Sequence, residues 1–158
     1  MNYSKLIDKL DMQKSWFEEH FSSNQTETGW NSSEIINHFI SIEIIGINSF
    51  KEYSNKSKKI GLKESFNSFL LNSALRLPLK FPAPKRVSSM NSDTSKDELF
   101  QNWIKTRTDL IEIINSYPSE KRKHSFFNHP KAGLISLSNY LKFLYLHHNH
   151  HKNQFLKK

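Results

Sequence analysis

One apolar stripe at helical spacing constrains the fold more than any other feature of this sequence. Its members recur through residues 137–155 so that, at about 100° per residue, all of them fall on one side of an α-helix. They are Leu137, Tyr140, Leu144, His147, His151 and Phe155. A helix with such a face belongs against a core, so the stripe predicts a long packed helix over this stretch.

Two members of the stripe are histidines one turn apart, so imidazoles continue a face that otherwise predicts core packing. A neutral i,i+4 pair such as His147 and His151 can point at one ion, with metal–nitrogen distances of about 2.0–2.1 Å for zinc. Two ligands are too few for a tight site. A third ligand therefore has to come from another part of the chain.

The composition bounds both the fold class and the kind of site. With 158 residues, the chain is expected to form a single domain over residues 1–158. Only 4 Gly and 5 Pro interrupt long segments without turn signals, which favours an all-α fold over a sandwich or barrel. No cysteine is present, so a thiolate nucleophile, an iron–sulfur cluster and a Cys-containing zinc finger are excluded, and any metal must use nitrogen and oxygen ligands.

Capping and proline signals divide the chain into four long helices and a short one. Asn31, with Glu34 three residues later, forms a capping-box pattern, and Ser136 can cap the last helix. The helices are expected at about 3–21, 32–56, 62–76, 95–117 and 137–155. Three prolines make residues 77–93 a long crossover, and residues 125–135 are interpreted as an ordered apolar loop. One long crossover among short connections suits an all-α four-helix bundle with a short extra helix.

His38 is the natural third ligand. It lies in the middle of the second predicted helix, which is apolar on most sides and is expected to be the most buried. Four-helix bundles build metal sites in the core from facing helices, so His38 can meet His147 and His151 there. Two imidazoles from one helix and one from another would leave an open position for water or substrate, as catalytic zinc sites do.

A set of motifs spread over nearly the whole chain forms a recognisable pattern. They are Trp30-Asn31-Ser32-Ser33-Glu34-Ile35-Ile36-Asn37-His38-Phe39, the proline crossover, Trp103 with Arg107, His129-Pro130 with Gly133, and His147 with His151 and Gln154. In combination they resemble the DinB-like superfamily, bacterial metal-binding four-helix bundles that include thiol S-transferases acting with bacillithiol or mycothiol. The resemblance implies that His38, His147 and His151 bind a divalent metal and that the chain forms a homodimer.

The histidine-rich stretch of the last helix departs from the family pattern. Where the family commonly has His-Glu-Arg-Arg-His, this chain has His147-His148-Asn149-His150-His151. Because His148 and His151 also lie one turn apart, either His147 or His148 can face the metal, and His147 is favoured. A single buried histidine is more often a core imidazole bonded to a carbonyl, so it is the combination of three that predicts a site.

Other polar and aromatic residues are weaker candidates. Arg107 falls on a largely apolar face, where it needs a partner, and an internal salt bridge with Glu43 is favoured over an anion clamp for substrate. Trp103 and Tyr140 are also candidate substrate-binding residues, although core packing is the commoner role of such aromatics. His129 is expected to hold its loop rather than to bind metal. The histidines expected at the surface are His20, His124 and His150.

The net charge of +8 and the pI of about 9.6 raise the question of anionic partners. The basic residues are scattered in short clusters and no nucleic-acid reading motif is present, so nucleic acid is not expected as a partner. No stretch approaches about 18 uninterrupted apolar residues, and no signal-like apolar core follows Met1. We therefore expect a soluble cytoplasmic protein that acts on a small molecule and has no membrane partner.

Two functional hypotheses follow from these features. The first is a divalent-metal-dependent enzyme, a thiol S-transferase or hydrolase that acts on a small molecule through the three-histidine site. Zinc or nickel is the expected metal, and a low-molecular-weight thiol is the co-substrate that the resemblance implies. The second is a non-catalytic metal-binding or dimerising bundle. No catalytic residue is identified, because no carboxylate beside the predicted ligands offers a confident general base.

Overall fold

Helices make up most of the described part of the protein. The computed structural model describes residues 3–22, 26, 29–53, 56, 58–77 and 94–156. In chain order the elements are α1 (Tyr3–Glu19), α2 (Ser32–Tyr53), α3 (Leu62–Ala74), α4 (Lys96–Ser116), a single 3-10 turn (Ser119–Lys121), β1 (Ser125–His129), β2 (Gly133–Ser136) and α5 (Leu137–Leu156). The helical class is confirmed, whereas the four-helix bundle arrangement remains a prediction. The predicted crossover at 77–93 lies, apart from Leu77, outside the described residues.

Side-chain caps begin the helices where the sequence predicts them. In the capping box of α2, the Asn31 side chain accepts from the Glu34 backbone N–H at 3.0 Å, and the Glu34 carboxylate accepts from the Asn31 N–H at 2.8 Å. The Ser95 hydroxyl accepts from the N–H of Glu98 at the start of α4, and the hydroxyl of Ser136 accepts at the start of α5. These polar signals are local, which is why sequence reasoning finds the helix starts.

Residues 125–136 form a β-hairpin, which corrects the prediction of an apolar loop in an all-α chain. β1 and β2 pair antiparallel, with Phe127 opposite Ile135 and His129 opposite Gly133. Gly133 has a φ of +71°, a conformation that glycine adopts in turns without steric cost. Strands of five and four residues are too short for their alternation to distinguish them from a loop. Their pairing is favoured because it buries apolar side chains against α2 and α5.

The helices pack around a core that they share with the hairpin. α2 contacts α4, α1 contacts α5, and the hairpin contacts α2, α3 and α5. The largest fully buried side chains come from several of these elements and include Phe17, Phe39, Trp103, Phe126 and Tyr140. Buried apolar area of this kind contributes about 25 cal/mol per Å², so the shared core is the main force that holds α2 beside α5.

A glycine lets α5 approach the backbone of α2. The hydroxyl of Tyr140 donates to the carbonyl of Ile42 at 3.1 Å, and a Cβ at Gly46 would collide with that hydroxyl. Gly46 therefore permits a close approach that a larger residue would block. The contact sets the spacing of α2 and α5, the two helices that carry the predicted metal ligands.

α3 presents four of its large apolar side chains outward. Each of these large side chains is at least 49% exposed; they are Leu62, Phe66, Phe69 and Leu70. The residues that α3 buries are Ser68 and Asn72. A helical stripe predicts the helix but not the side of it that meets the core. Neither α3 nor any other described helix has the length and apolarity that spanning a bilayer requires.

Candidate metal centre

Three imidazoles from α2 and α5 meet at one point in the interior. The Nε2 atom of His147 lies 3.2 Å from Nε2 of His38 and 3.3 Å from Nε2 of His151. One ligand atom from each of the three histidines lies within 4.8 Å of the others. The structure thus brings together, from two separate helices, the three residues that the sequence predicts as a metal-binding group.

The distances from Nε2 of His147 to the other two nitrogens fit a metal site better than a hydrogen-bonded one. Around a tetrahedral ion with bonds of about 2.0–2.1 Å, neighbouring ligand nitrogens lie about 3.3 Å apart. The single Nε2 of His147 faces two other nitrogens, yet one ring nitrogen can only donate once or accept once along its axis. An ion at the common point would use all three lone pairs together, so these residues fit a divalent ion with nitrogen ligands.

Burial keeps these histidines neutral. It lowers the pKa of His38 to about 4, and burial followed by the neighbouring His38 lowers the pKa of His151 to about 3. The pKa of His147 also lies well below its ordinary value, because of burial and then of the other imidazoles, His151 first. Neutral imidazole is the form that binds a metal, so all three side chains are in the ligand form at neutral pH.

The Nδ1 atoms of the three rings, which point away from the facing Nε2 atoms, differ in their surroundings. Nδ1 of His151 donates to the side-chain oxygen of Gln154 at 3.0 Å, which leaves the Nε2 lone pair of His151 directed at the other rings. Gln154 in turn donates to Nε2 of His150 at 3.2 Å. Nδ1 of His38 and Nδ1 of His147 have no hydrogen-bond partner among the described residues. Hydrogen bonding therefore orients His151 more firmly than the other two rings.

Aromatic rings flank the imidazoles. Trp30 is stacked on His151, with ring centroids 5.9 Å apart and planes inclined by 10°, and it meets His38 edge-on at 5.2 Å. Phe143 is stacked on His147 at 5.2 Å. Such contacts restrict rotation of the rings, which preorganises them as ligands. Trp30 is itself half-buried, so part of the residue that stacks on His151 is in contact with solvent.

His148 is not part of this group. Its ring is fully buried and packs on Phe39, with centroids 4.0 Å apart, and edge-on against Trp103 at 5.6 Å. Both of its ring nitrogens lack a hydrogen-bond partner in the described part of the chain. Of the two alternatives that the sequence leaves open, His147 is the residue whose Nε2 meets the other ligands.

The three candidate substrate-binding residues lie in the core. Glu43 accepts hydrogen bonds from Nε1 of Trp103 and Nε of Arg107, each at 3.0 Å, and Nη2 of Arg107 also pairs with this carboxylate. The predicted internal salt bridge is thus present. Burial opposes the charge of Arg107, but Glu43 raises the pKa of Arg107 above its ordinary value. Tyr140 is bonded to the α2 backbone instead. A role for any of the three in substrate binding stays a prediction.

Other histidines have separate surroundings. Nδ1 of His129 accepts from the backbone N–H groups of Lys131 and Ala132, each at 3.2 Å, so it holds the hairpin turn as predicted. Burial, and then Lys131, lowers the pKa of His129 to about 4. His20 is exposed, as predicted. The prediction of a surface position for His150 is wrong: only 8% of it is exposed, because α5 is buried on several sides at this point.

Two neighbours of the group had no assigned role in the sequence. Gln154 contributed only to the family pattern, and Trp30 was interpreted as a core or pocket-wall residue, yet both contact His151. The available signal for Gln154 was its spacing, since it follows His151 by three residues on the same helix. No such signal exists for Trp30, which precedes α2 and reaches the group through the tertiary fold.

Comparisons with family models, with curated proteins and with solved structures found no match to this chain. The three-histidine group therefore stands on its geometry, and the resemblance to the DinB-like superfamily stands on the sequence motifs.

Proposed function

We propose that this protein is a divalent-metal-dependent enzyme of the DinB-like type, a thiol S-transferase or hydrolase that acts on a small molecule. The observation that carries the proposal is the approach of three imidazole Nε2 atoms to 3.2 and 3.3 Å. Structural zinc sites use four protein ligands, whereas catalytic sites use three and keep a position for substrate or water. Within the described residues, the metal-ligating group consists of His38, His147 and His151, which supports the catalytic type.

The surrounding side chains have defined tasks in this proposal. The three histidines hold the ion, which when bound supplies Lewis-acid chemistry and makes a thiol or water a better nucleophile at neutral pH. Gln154 orients one of these ligands, His151, through its Nδ1–H. Trp30 covers the same ring and limits the access of water, which strengthens electrostatic interactions in the site.

The metal and the co-substrate follow from ligand chemistry and from the family resemblance. Imidazole binds both zinc and nickel, so either metal suits the ligand set. A low-molecular-weight thiol is the proposed co-substrate, and a homodimer is the proposed assembly. Transfer of the thiol to an aryl halide would form a carbon–sulfur bond and break the carbon–halogen bond, releasing halide and the thiol proton to solvent. Hydrolysis would use water as the nucleophile in place of the thiol.

Metal content provides the first test. Untagged protein, purified without chelators or a metal-affinity column, is expected to contain about one divalent ion per chain by plasma mass spectrometry. His38→Ala and His147→Ala should lose the ion, whereas His20→Ala removes an exposed histidine and should keep it. Protein that stays folded, contains no metal and takes up no added zinc or nickel would contradict the proposal.

Activity separates an enzyme from a non-catalytic bundle. The three ligands are at most 9% exposed, and this deep burial is the observation that favours a structural metal site as the second candidate function. Zinc-loaded and nickel-loaded protein should be assayed with a small thiol and a chromogenic aryl halide, and separately with a nitrophenyl ester. Turnover that requires the metal and disappears in His151→Ala supports the enzyme. Metal binding without turnover in either assay supports a non-catalytic metal-binding bundle.

A further inference from the structure

A chain of hydrogen bonds lies directly behind His151. Nδ1 of His151 faces Oε1 of Gln154 at 3.0 Å, and Nε2 of Gln154 faces Nε2 of His150 at 3.2 Å. The three side chains are buried, with 9%, 7% and 8% of their surface exposed. Because they occupy positions i, i+1 and i+4 of one helix, they are neighbours on α5. This chain of hydrogen bonds ends at the three-histidine group.

The direction of this chain decides whether His151 can bind a metal. A neutral imidazole has one N–H and one lone pair. With its oxygen towards His151, Gln154 accepts from Nδ1–H, and Nε2 keeps the lone pair that faces the other ligands. If the Gln154 amide were flipped by 180°, its NH2 group would donate to Nδ1 of His151. That arrangement selects the tautomer with the proton on Nε2, which has no lone pair to offer a metal.

On the side of the amide away from His151, the two orientations require different tautomers of His150. In the metal-competent arrangement the NH2 group of Gln154 donates to Nε2 of His150, so that nitrogen carries the lone pair. In the reversed arrangement Nε2 of His150 would carry the proton and donate to the amide oxygen. The tautomers of His150 and His151 are therefore coupled through one buried amide.

We propose that Gln154 and His150 are positioning residues that select the Nδ1–H tautomer of His151 and thereby set the metal affinity of the three-histidine group. This inference rests on the proposed metal-dependent function. Metal-ligating histidines commonly donate their other N–H to an acceptor, and loss of that acceptor typically costs about 10–100-fold in metal affinity. Here the acceptor is an amide whose NH2 group donates to a second imidazole, that of His150.

Zinc titration of matched variants tests the coupling. Gln154→Leu removes the acceptor at similar volume and should weaken zinc binding by about 10–100-fold. Gln154→Glu keeps an acceptor at both side-chain oxygens and should retain or increase the affinity. Asn153→Leu, which removes an exposed amide from the same turn, is the control and should bind zinc as the wild type does. An unchanged zinc affinity in Gln154→Leu would overturn the proposal.

A double-mutant cycle isolates the contribution of His150. His150→Phe should weaken zinc binding when residue 154 is glutamine, because the amide NH2 then loses the acceptor that it has in the metal-competent arrangement. The same substitution should have little effect beside Gln154→Glu, since an ionised carboxylate has no orientation to choose. Equal losses in the two backgrounds would overturn the role of His150.

The tautomer can also be read in the metal-free protein by NMR. Side-chain 15N shifts of His151 are expected to show a protonated Nδ1 and an unprotonated Nε2, and Gln154→Leu should shift them towards a mixture of tautomers. A protonated Nε2 on His151 in the wild type would overturn the proposal. Because this measurement needs no metal, it separates failure of this inference from failure of the proposed function, which would appear as wild-type protein that binds no zinc.

Discussion

Two buried polar clusters lie along α2, and they differ in how far hydrogen bonds within the protein satisfy them. At the first, Glu43 accepts hydrogen bonds from Trp103 and Arg107 of α4, so both carboxylate oxygens are paired. At the second, His38 meets two histidines of α5, and Nε2 of His147 faces Nε2 of both His38 and His151. In the first cluster both carboxylate oxygens have protein donors, and Nη1 of Arg107 lies 3.7 Å from Asp11. In the second cluster a single hydrogen bond at Nε2 of His147 cannot satisfy both of the nitrogens that face it.

This difference shows how one core accommodates both stability and function. Pairing offsets the desolvation of the charged groups at Glu43, while polar atoms that are buried without partners cost stability. Costs of that kind are concentrated at functional sites, where a ligand compensates for them. The facing imidazoles are therefore the part of the core that the proposed metal binding would explain and that packing alone does not.

Breaking the Glu43 cluster is expected to give the largest loss of stability. Arg107→Met leaves Glu43 buried without its counter-charge, and removal of one partner of a buried pair typically costs about 3–5 kcal/mol. Urea denaturation of the metal-free protein measures this loss. Lys105→Met, at an exposed position of the same helix, is the control and should change stability by less than about 0.5 kcal/mol. An equally small change in Arg107→Met would show that this cluster contributes little to holding α2 and α4 together.

The histidine cluster should instead gain stability from a ligand. At a free zinc concentration of about 100 times Kd, binding raises the free energy of unfolding by about 2.7 kcal/mol. His147→Ala should abolish this gain, and His20→Ala should preserve it. Denaturation curves with and without zinc provide the measurement. A gain that survives in His147→Ala would place the zinc site elsewhere in the chain.

Acid should weaken the histidine cluster of the metal-free protein. Unfolded imidazoles take up protons near pH 6.5, whereas burial lowers the pKa of His38 to about 4 and, with His38 as the next cause, that of His151 to about 3. As the pH falls from about 6.5 to 4, the unfolded state binds more protons than the folded state, so the free energy of unfolding decreases. Each such proton contributes a slope of about 1.4 kcal/mol per pH unit. Urea midpoints across this range should show a shallower slope in His38→Phe, and an unchanged slope would contradict the assignment to His38.

The smallest expected effect comes from the start of the helix that carries both clusters. Asn31→Ala removes one acceptor of the capping box and should cost about 1 kcal/mol of stability. Because the substitution leaves the imidazoles in place, zinc affinity should not change. Urea denaturation and zinc titration of the same preparation provide the two measurements. A clear loss of zinc affinity would show that the cap also positions His38.

The three-histidine group could be predicted because its signals are chemical and periodic. His147 and His151 continue an apolar stripe at i,i+4 spacing, and His38 lies within a helix that is apolar on most sides. The sequence pattern could not decide between His147 and His148, because each lies about one helical turn before His151. It depends on Phe39 and Trp103, which pack against the ring of His148 from other helices.

Prediction failed where the signal is short or depends on distant neighbours. The strands of the hairpin contain too few residues to establish an alternating pattern. His150 was assigned to the surface because it points away from the apolar stripe, but the fold buries several sides of α5. The stripe of α3 predicted its helix correctly, whereas the side of α3 that meets solvent was set by the packing of other elements.

The sequence by itself determined the helical class, the helix starts and the restriction to nitrogen and oxygen ligands. Apolar period, capping residues and composition are local properties, so they can be read without a fold. Only the tertiary structure decided which ring nitrogens face one another and which amide is hydrogen-bonded to Nδ1 of His151. Those relations depend on the spacing of α2 and α5, which long-range contacts such as Tyr140 to Ile42 set. A ligand group requires nitrogens placed to within a few tenths of an ångström, and no local pattern in a sequence carries that precision.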